Sequence, residues 1–501
     1  MTITYHIEID QDDDGQFSSA EAITPQVLGL HWRLGLSEPY QHMARPAWAQ
    51  ITVRNHDRQF SPELSALLPG KRLRILSDDG AQVRVHFTGS VTQVAPMPGD
   101  WGAQMAVIYA RDALHSLSDI QVRLPPLVDV RADEAIAQVL ARCDLRYPSL
   151  SGYIILGGPD GRVGQKLFGV PLVQDFQAGR QVLPIVGDGW GAGIAADSAI
   201  NQIAAAERGR FSIDREGRAV FRNRHHTLLN LTPAAQFDNA VDRAVYVYGD
   251  AVISQVEVSV TPRTVGAAGV VVWSLGMAQA VPPRSTRRIS ARYGDADGNP
   301  LGVLALDGLS YAAHADPAGS GRNLTAQVRV RVIEAGASAA VLDLTNTGDE
   351  TAYLTTLTLS GQPVVSGPPL TITHRDRYNL THYGHRALHL NLPLLASMAD
   401  GDQIARYELV RRRVPRGTIR EVELSTRGPA DAVLSLSLFD RIRLHDSQTG
   451  HSGDYFIIAE EHRVEQGGHR HRVRWLLEPA DDDRFFIVGQ HAPDGSRCLM
   501  I

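Results

Sequence analysis

Cysteine is almost missing from this chain: Cys143 and Cys498 are its only two in 501 residues, so no disulfide framework can staple it, and folding in a reducing compartment is expected. No apolar run is long enough to span a bilayer, which excludes an integral helical membrane segment. Met1-Thr2-Ile3-Thr4-Tyr5-His6 lacks the basic patch and apolar core of a secretion signal, so a soluble product is expected. An excess of positive charge is also lacking, since 49 Lys and Arg face 55 Asp and Glu for a net charge of −6, with the basic residues spread along the chain. That balance argues against nucleic-acid readout, whose affinity comes largely from phosphate neutralisation. There is no Gly-x-Ser-x-Gly elbow, no P-loop and no His-Glu-x-x-His pair, so no catalytic site assembles and no enzyme is expected.

What is present is the texture of strands and turns. The 45 glycines and 27 prolines are interleaved with β-branched runs, and 43% hydrophobic against 21% charged residues is ordinary globular usage, sufficient for about three domains. The fold class expected is mainly β (α+β) and multidomain. Alternating runs predict strands at Ile3–Ile9, Trp48–Val53, Leu73–Leu76, Val83–Val94 and Met105–Ala110. Helical spacing of Ala132, Ile136, Val139, Leu140 and Cys143 predicts an amphipathic helix, and Ile200, Ile203 and Ala204 mark a second one over about 197–207. A hairpin follows over 210–222, turning at Asp214-Arg-Glu-Gly217. Strands between about 245 and 370 read as an inserted β-sandwich. A third helix is expected from Asp400, carrying Ile404, Tyr407 and Val410 and ending in Arg411-Arg412-Arg413, with strands resuming at Ile419. No short repeat is present, although the two terminal strand-rich blocks could be related domains.

The sharpest local pattern is Asp10-Gln-Asp12-Asp-Asp14-Gly15-Gln16-Phe17-Ser18-Ser-Ala-Glu21, which matches an acidic, glycine-turned calcium loop from first position to twelfth. Calcium takes six to eight oxygens. The spacing offers Asp10, Asp12, Asp14, the Gln16 carbonyl, Ser18 directly or through water, and Glu21, with calcium as a structural cofactor that pins the exit of the first strand. The preceding segment alternates as a strand, so this is a loop grafted onto β-structure and not a helix–loop–helix unit. The alternative is a solvated acidic turn. Asp295-Ala-Asp297-Gly298-Asn299 lacks a closing carboxylate and reads as a plain turn. Gly187-Asp-Gly189-Trp-Gly191-Ala192 resembles a dinucleotide fingerprint, but Glu207 follows within a helical stripe and no βαβ unit is completed, so a glycine-rich loop is expected. The histidine sets His382, His385, His389 and His462, His469, His471 read as polar surface, Cys143 as core, and Arg411 to Arg413 as a solvated helix end.

Several separated segments together resemble the baseplate or tail-tip hub proteins of long-tailed bacteriophages and phage-tail-like particles. They are the acidic Asp-x-Asp-x-Asp-Gly loop with the strand before it and Val27-Leu-Gly-Leu-His-Trp-Arg-Leu-Gly35 after it, then Asn55-His-Asp57-Arg-Gln-Phe60-Ser61-Pro62, where Arg58 replaces the family's usual glycine. Leu68-Pro-Gly70-Lys-Arg-Leu-Arg74, Ala204 to Phe211, Asp214, Gly217 and Phe221-Arg-Asn-Arg224 continue the pattern. Leu344-Thr-Asn346-Thr-Gly348, Tyr353-Leu354, Leu359-Ser-Gly361-Gln-Pro363, Ile404 to Leu409, Pro415 and Asp440-Arg-Ile-Arg443 complete it. The resemblance implies two tail-tube-like β-barrels, at 1–120 and 376–480, separated by a mixed α/β region at 121–240 and a β-sandwich at 241–375, with a tail at 481–501. It also implies a structural hub of the virion tail, assembled in the host cytoplasm. Such a hub is a homotrimeric ring whose two barrels per subunit mimic the six-fold tube, with a distal tail or tail-tube protein above and a tip, spike or tail-fibre protein below. A virion-borne carbohydrate-binding or hydrolytic tail-tip protein is the alternative; a calcium-dependent adhesin would need an export signal.

Overall fold

The structure, a computed structural model, describes residues 3–12, 16–17, 21–64, 67–97, 104–143, 146–147, 153–157, 163–167, 170–190, 193–486 and 498–499. Six strands open the chain: β1 (Thr4–Ile9), β2 (Val27–Gly35), β3 (Trp48–Arg54), β4 (Arg72–Asp78), β5 (Val83–Met97) and β6 (Met105–Arg111). They hydrogen-bond in the order β1-β4-β5-β6-β3-β2. Alternation in the sequence decides which face turns inward, so that Ala49, Ile51 and Val53 of β3 are buried while their neighbours are not. With Ile7, Trp32, Ile75, Phe87 and Ile108 they make one apolar core.

The middle of the chain is built on two helices, α1 (Ala132–Arg142) and α2 (Ala196–Glu207), and a hairpin of β7 (Arg210–Ile213) and β8 (Ala219–Arg222). The helices sit where the apolar spacing puts them. Glu134 caps the first by accepting from the Arg131 N–H at 3.0 Å. The second ends on Arg208 in the left-handed region, φ 58°, whose N–H returns to the Ala204 and Ala205 carbonyls. Ile136, Val139, Ile200 and Ile203 are buried with Phe211 and Phe221 of the hairpin.

Two more strands follow, β9 (Ala235–Asp238) and β10 (Arg243–Tyr248). Gln255–Val260 then pairs antiparallel with Leu370–Arg375 and parallel with Ala387–Leu392. Between them lies a sandwich of a five-stranded sheet centred on Ala352–Ser366 and a three-stranded sheet centred on Ala339–Asn346. It has its own core, including Val272, Leu342, Leu344, Leu354 and Leu359. Helix α3 (Met398–Arg412) packs on the strands at 255–260 and 370–375. It begins two residues before Asp400 because Ser397 is the better cap, its Oγ accepting the Asp400 N–H at 3.1 Å.

The last four large strands are β11 (Gly417–Ser425), β12 (Arg441–Asp446), β13 (His451–Glu465) and β14 (Arg470–Pro479). With β9 and β10 they pair in the order β9-β12-β13-β14-β11-β10, which is the order of the first six strands repeated, strand for strand. The fifth strand of each set is 15 residues long. One direction differs: β1 is antiparallel to β4, whereas β9 is parallel to β12. Val422, Ile442, Ile457 and Trp475 fill this second core. The mainly β, multidomain class expected from the sequence is the one found. The two strand sets meet in one sheet: β2 pairs with β13, from Leu30 opposite Val464 to Gly35 opposite Ala459, joining both halves into 12 strands. Among the described residues β1 does not pair with β2, nor β9 with β10, so neither half closes on itself. Among the described residues no helix is long and apolar enough to cross a membrane.

Candidate functional site

The acidic loop leaves β1 at its end and returns beside it, with Glu8 bridged to Ala22 and the Ile23 N–H donating to the Ile7 carbonyl at 2.9 Å. Asp10 is fully buried, its N–H held by the Arg72 carbonyl at 3.0 Å. Oxygens of Asp10, Asp12 and Glu21 lie within 4.8 Å of one another. Asp14, Gly15 and Ser18 lie outside the described residues, and Gln16 is exposed. The all-oxygen donor set suits a hard cation such as calcium. Glu21 also serves the loop itself, its Oε1 accepting the Gln11 N–H at 2.7 Å and the Asp12 N–H at 3.4 Å. Lys71 Nζ donates to the Gln11 carbonyl at 2.6 Å, while the Arg72 and Arg74 guanidiniums stand 5.0 and 4.5 Å from the Phe17 ring centre. The loop is thus tied to β4 by cations as well as closed by its own carboxylates.

The joint between the halves carries buried polar chemistry that sequence spacing did not reveal. Trp32 stacks on His462 at 4.6 Å, His462 Nδ1 lies 3.0 Å from His471 Nε2, and His471 Nδ1 lies 2.6 Å from the Tyr5 hydroxyl. His86 reaches Ser77 Oγ at 2.7 Å in the same interior. Burial pushes all three histidines below their usual pKa, His86 and His471 furthest. Far from polar surface, His462 and His471 are core. From the hairpin turn, Arg215 enters beneath them and donates to both Glu460 oxygens, at 2.7 and 2.5 Å, and to the carbonyls of Leu434 and Leu436. Burial alone raises the Glu460 pKa, but the Arg215 charge overrides it and holds the carboxyl at about 2.

A second ionic cluster fastens the middle region to β14. Glu478 accepts from Arg210, from Arg411 at 2.9 Å and from the Tyr40 N–H at 2.6 Å. Asp481 binds Arg411 at 2.7 Å and Arg416, and Arg208 donates to Glu408 at 2.8 Å. Arg411 is therefore buried inside the molecule, not solvated at a helix end as its place in an arginine run suggests. The i, i+3 and i+4 neighbours of Arg411 on α3, Glu408 and Tyr407, were the available signal that this stripe faces inward.

The remaining sequence candidates are structural. Glu207 accepts the N–H groups of Arg180 and Gln181 at 3.0 and 2.7 Å, and Asp188 pairs with Arg263 at 2.5 Å, so the glycine-rich segment presents no acidic residue to a ribose; Gly191 and Ala192 lie outside the described residues. His382 stacks on Tyr378 and His389 pairs with Glu257 at 2.9 Å, so that histidine set does not converge. The Cys143 thiol is pushed up to about 11 by burial. Asp295 closes its own turn by accepting the Asp297 and Asn299 N–H groups. A groove of about 980 Å³ opens at the seam between β1 and β2, walled by Ile3, Tyr5, Ile7, Val27, Leu28 and Val464. Among the described residues its lining carries one carboxylate, Asp431, which is bound to Arg84 at 2.5 Å.

No family model matches the chain, and no curated protein matches it in sequence. Solved structures do match its fold. The tail protein from Neisseria meningitidis MC58 superposes with a TM-score of 0.50 at 10% identity, covering 96% of this chain and 99% of its own. The 43 kDa tail protein of prophage MuSo2 from Shewanella oneidensis gives 0.48 at 9% identity over 95% and 99%. Prophage tail protein gp18 from Listeria monocytogenes EGD-e gives 0.40 at 8% identity over 94% of each chain. At such identities the likeness is one of fold, and it runs nearly end to end with the Neisseria protein.

Proposed function

We propose that this protein is a structural component of a phage tail or phage-tail-like injection particle, and within it the hub that ends the tail tube and seats the tip, spike or fibres. The observation that carries this reading is the repeated strand order in one continuous sheet, by which a single chain presents two like units side by side. Three chains then present six, which is what matching a six-fold tube to a three-fold tip requires. The tail-protein fold supports the same reading, as does the use of the buried charges for cross-bracing. The work of such a protein is assembly, in the virion tail after synthesis in the host cytoplasm, with a tail-tube or distal tail protein on one face and a tip or fibre protein on the other. Calcium, held by Asp10, Asp12, Asp14, Gln16, Ser18 and Glu21, is its structural ion.

Negative-stain imaging of the purified protein tests this. Closed rings of three subunits with six peripheral lobes are expected; a monomer at every concentration, with affinity for polysaccharide, would point instead to a carbohydrate-binding or hydrolytic tip protein.

A further inference from the structure

Tyr5, His471 and His462 form a line of hydrogen bonds running from β1 through β14 to β13, which ties β1 to the second half of the molecule. Its links are 2.6 Å from the Tyr5 hydroxyl to His471 Nδ1 and 3.0 Å from His471 Nε2 to His462 Nδ1. The far end, His462 Nε2, stands 3.5 Å from Glu460 Oε2 and has no other polar partner among the described residues. Tyr5 is the end nearer water, since it walls the seam groove and is 6% exposed against 0% for His462.

The carboxylate fixes every proton on this line. Glu460 is ionised, accepts only, and is bound to Arg215 through both oxygens, so His462 turns an N–H and not a lone pair toward it. A neutral His462 then has a bare Nδ1, which accepts from His471 Nε2–H; the bare His471 Nδ1 accepts in turn from the Tyr5 O–H. All three donors point toward Glu460. The opposite assignment would set a lone pair of His462 against the carboxylate.

There is room for one added proton. One proton from water goes to the Tyr5 oxygen, the Tyr5 hydroxyl proton passes to His471 Nδ1, and the His471 Nε2 proton passes to His462 Nδ1. Tyr5 and His471 end neutral and His462 ends as an imidazolium. That cation lies beside Glu460 and parallel to the Trp32 ring, at 4.6 Å with 8° between the planes, and both neighbours favour it. Charging His471 as well would set two N–H groups against each other across the 3.0 Å link, so a second proton must part the rings.

The other charged and titratable groups facing the line are few. Arg215 opposes the cation but is paired with Glu460, and Glu461 is held by Arg474 and His31 at 2.5 and 2.8 Å. His86 of β5 bonds Ser77 at 2.7 Å, and Arg84 on the same strand is paired with Asp79 and Asp431. Burial pushes His471 down further than His462, whose loss Glu460 offsets, so the first proton settles on His462, below the ordinary imidazole range near 6.5.

We propose that Tyr5, His471 and His462 are a one-proton switch at the joint of the two strand sets: mild acidification reverses all of its hydrogen bonds together and leaves the joint intact, and a second proton breaks the tie between His471 and His462. The intact chain with nitrogen-15-labelled histidines, titrated from about pH 8 to 5, tests this. One buried imidazole should become doubly protonated while its neighbour stays neutral and moves its proton from Nε2 to Nδ1, with the far-ultraviolet dichroism unchanged. Trp32 emission, identified by its loss in W32F, should be quenched in the same step by the stacked imidazolium. H462Q should abolish the step. H471Q should move it to higher pH, because a glutamine carbonyl accepts from His462 Nδ1 without reversing Tyr5. Two imidazoles charging together in the folded chain, neither charging before it unfolds, or a neighbour that keeps its proton on Nε2 would each overturn the switch, and these readings on the unaltered chain stand even where a variant fails to fold.

Discussion

Arg58 stands where the resemblance leads to a glycine, and its backbone has the geometry glycine favours: its φ is 61°, in the left-handed region. The Asn55 side chain holds the turn by accepting the Phe60 N–H at 2.9 Å, so the conformation is imposed on Arg58 by its neighbours. Left-handed geometry costs a non-glycine residue about 1–2 kcal/mol, partly offset by the greater freedom glycine has when unfolded. Arg58→Gly is therefore expected to raise stability by about 0.5–1 kcal/mol in urea unfolding. The buried histidines predict a pH response. His86, His462 and His471 have folded pKa values below their unfolded value near 6.5, so the unfolded chain binds protons first as pH falls. Stability is then complete above about pH 7 and declines below about 6.5, by about 1.4 kcal/mol per pH unit for each histidine that stays neutral. Glu460 and Glu461, held at about 2, add their own loss below their unfolded pKa of about 4.5. Thermal melts from pH 7.5 to 5 check the first window, and H86Q should flatten the slope there by about one histidine's share.

At the scale of elements, the acidic loop and the sheet joint differ in what their sequences could announce. The loop lies within twelve residues and its spacing names its ligands; Asp10, Asp12 and Glu21 do converge, and Glu21 also satisfies two loop N–H groups. Bound calcium would relieve the repulsion among these carboxylates and lock the exit of β1, so calcium titration should release heat with one-site stoichiometry. Chelation should lower the melting temperature by a few degrees, and Asp12→Asn should remove both effects; a heatless titration with an unchanged melt would leave the solvated turn. The helices were equally legible, because a 3.6-residue apolar period is local and strong at Ile136, Val139, Ile200 and Ile203. The pairing of β2 with β13 was not, since partners such as Trp32 and His462 are far apart in sequence and each strand alternates as any half-buried strand does. For the same reason the joining of the two terminal strand sets into one sheet was not legible in the sequence. Arg411 misled in another way: a run of three arginines looks solvated until the carboxylates of β14 and the loop after it are placed against it.

At the scale of the molecule, the sandwich is an excursion from a fold that is complete without it. Val260 and Leu370 are register partners on neighbouring antiparallel strands, so the chain leaves and re-enters at one point. The sandwich core, from Val272 to Leu359, forms a cluster separate from the core around α1, α2 and α3. Its ties at the root are few, chiefly Arg263 to Asp188 at 2.5 Å and to the Pro393 carbonyl. Among the described residues none of its strands pairs with the 12-stranded sheet. Joining Val260 to Leu370 through a two-residue Asn-Gly turn, which suits adjacent antiparallel strands, should leave a cooperatively folding chain. Its loss of stability should not exceed about 3 kcal/mol, the scale of breaking one buried ion pair. Residues 261–369 expressed alone should fold as well, because the core travels with them. Calorimetry of both pieces checks this: two independent transitions matching those of the whole chain are expected. An excised chain that melts without cooperativity would mean that the sandwich braces the rest of the chain instead of being carried by it.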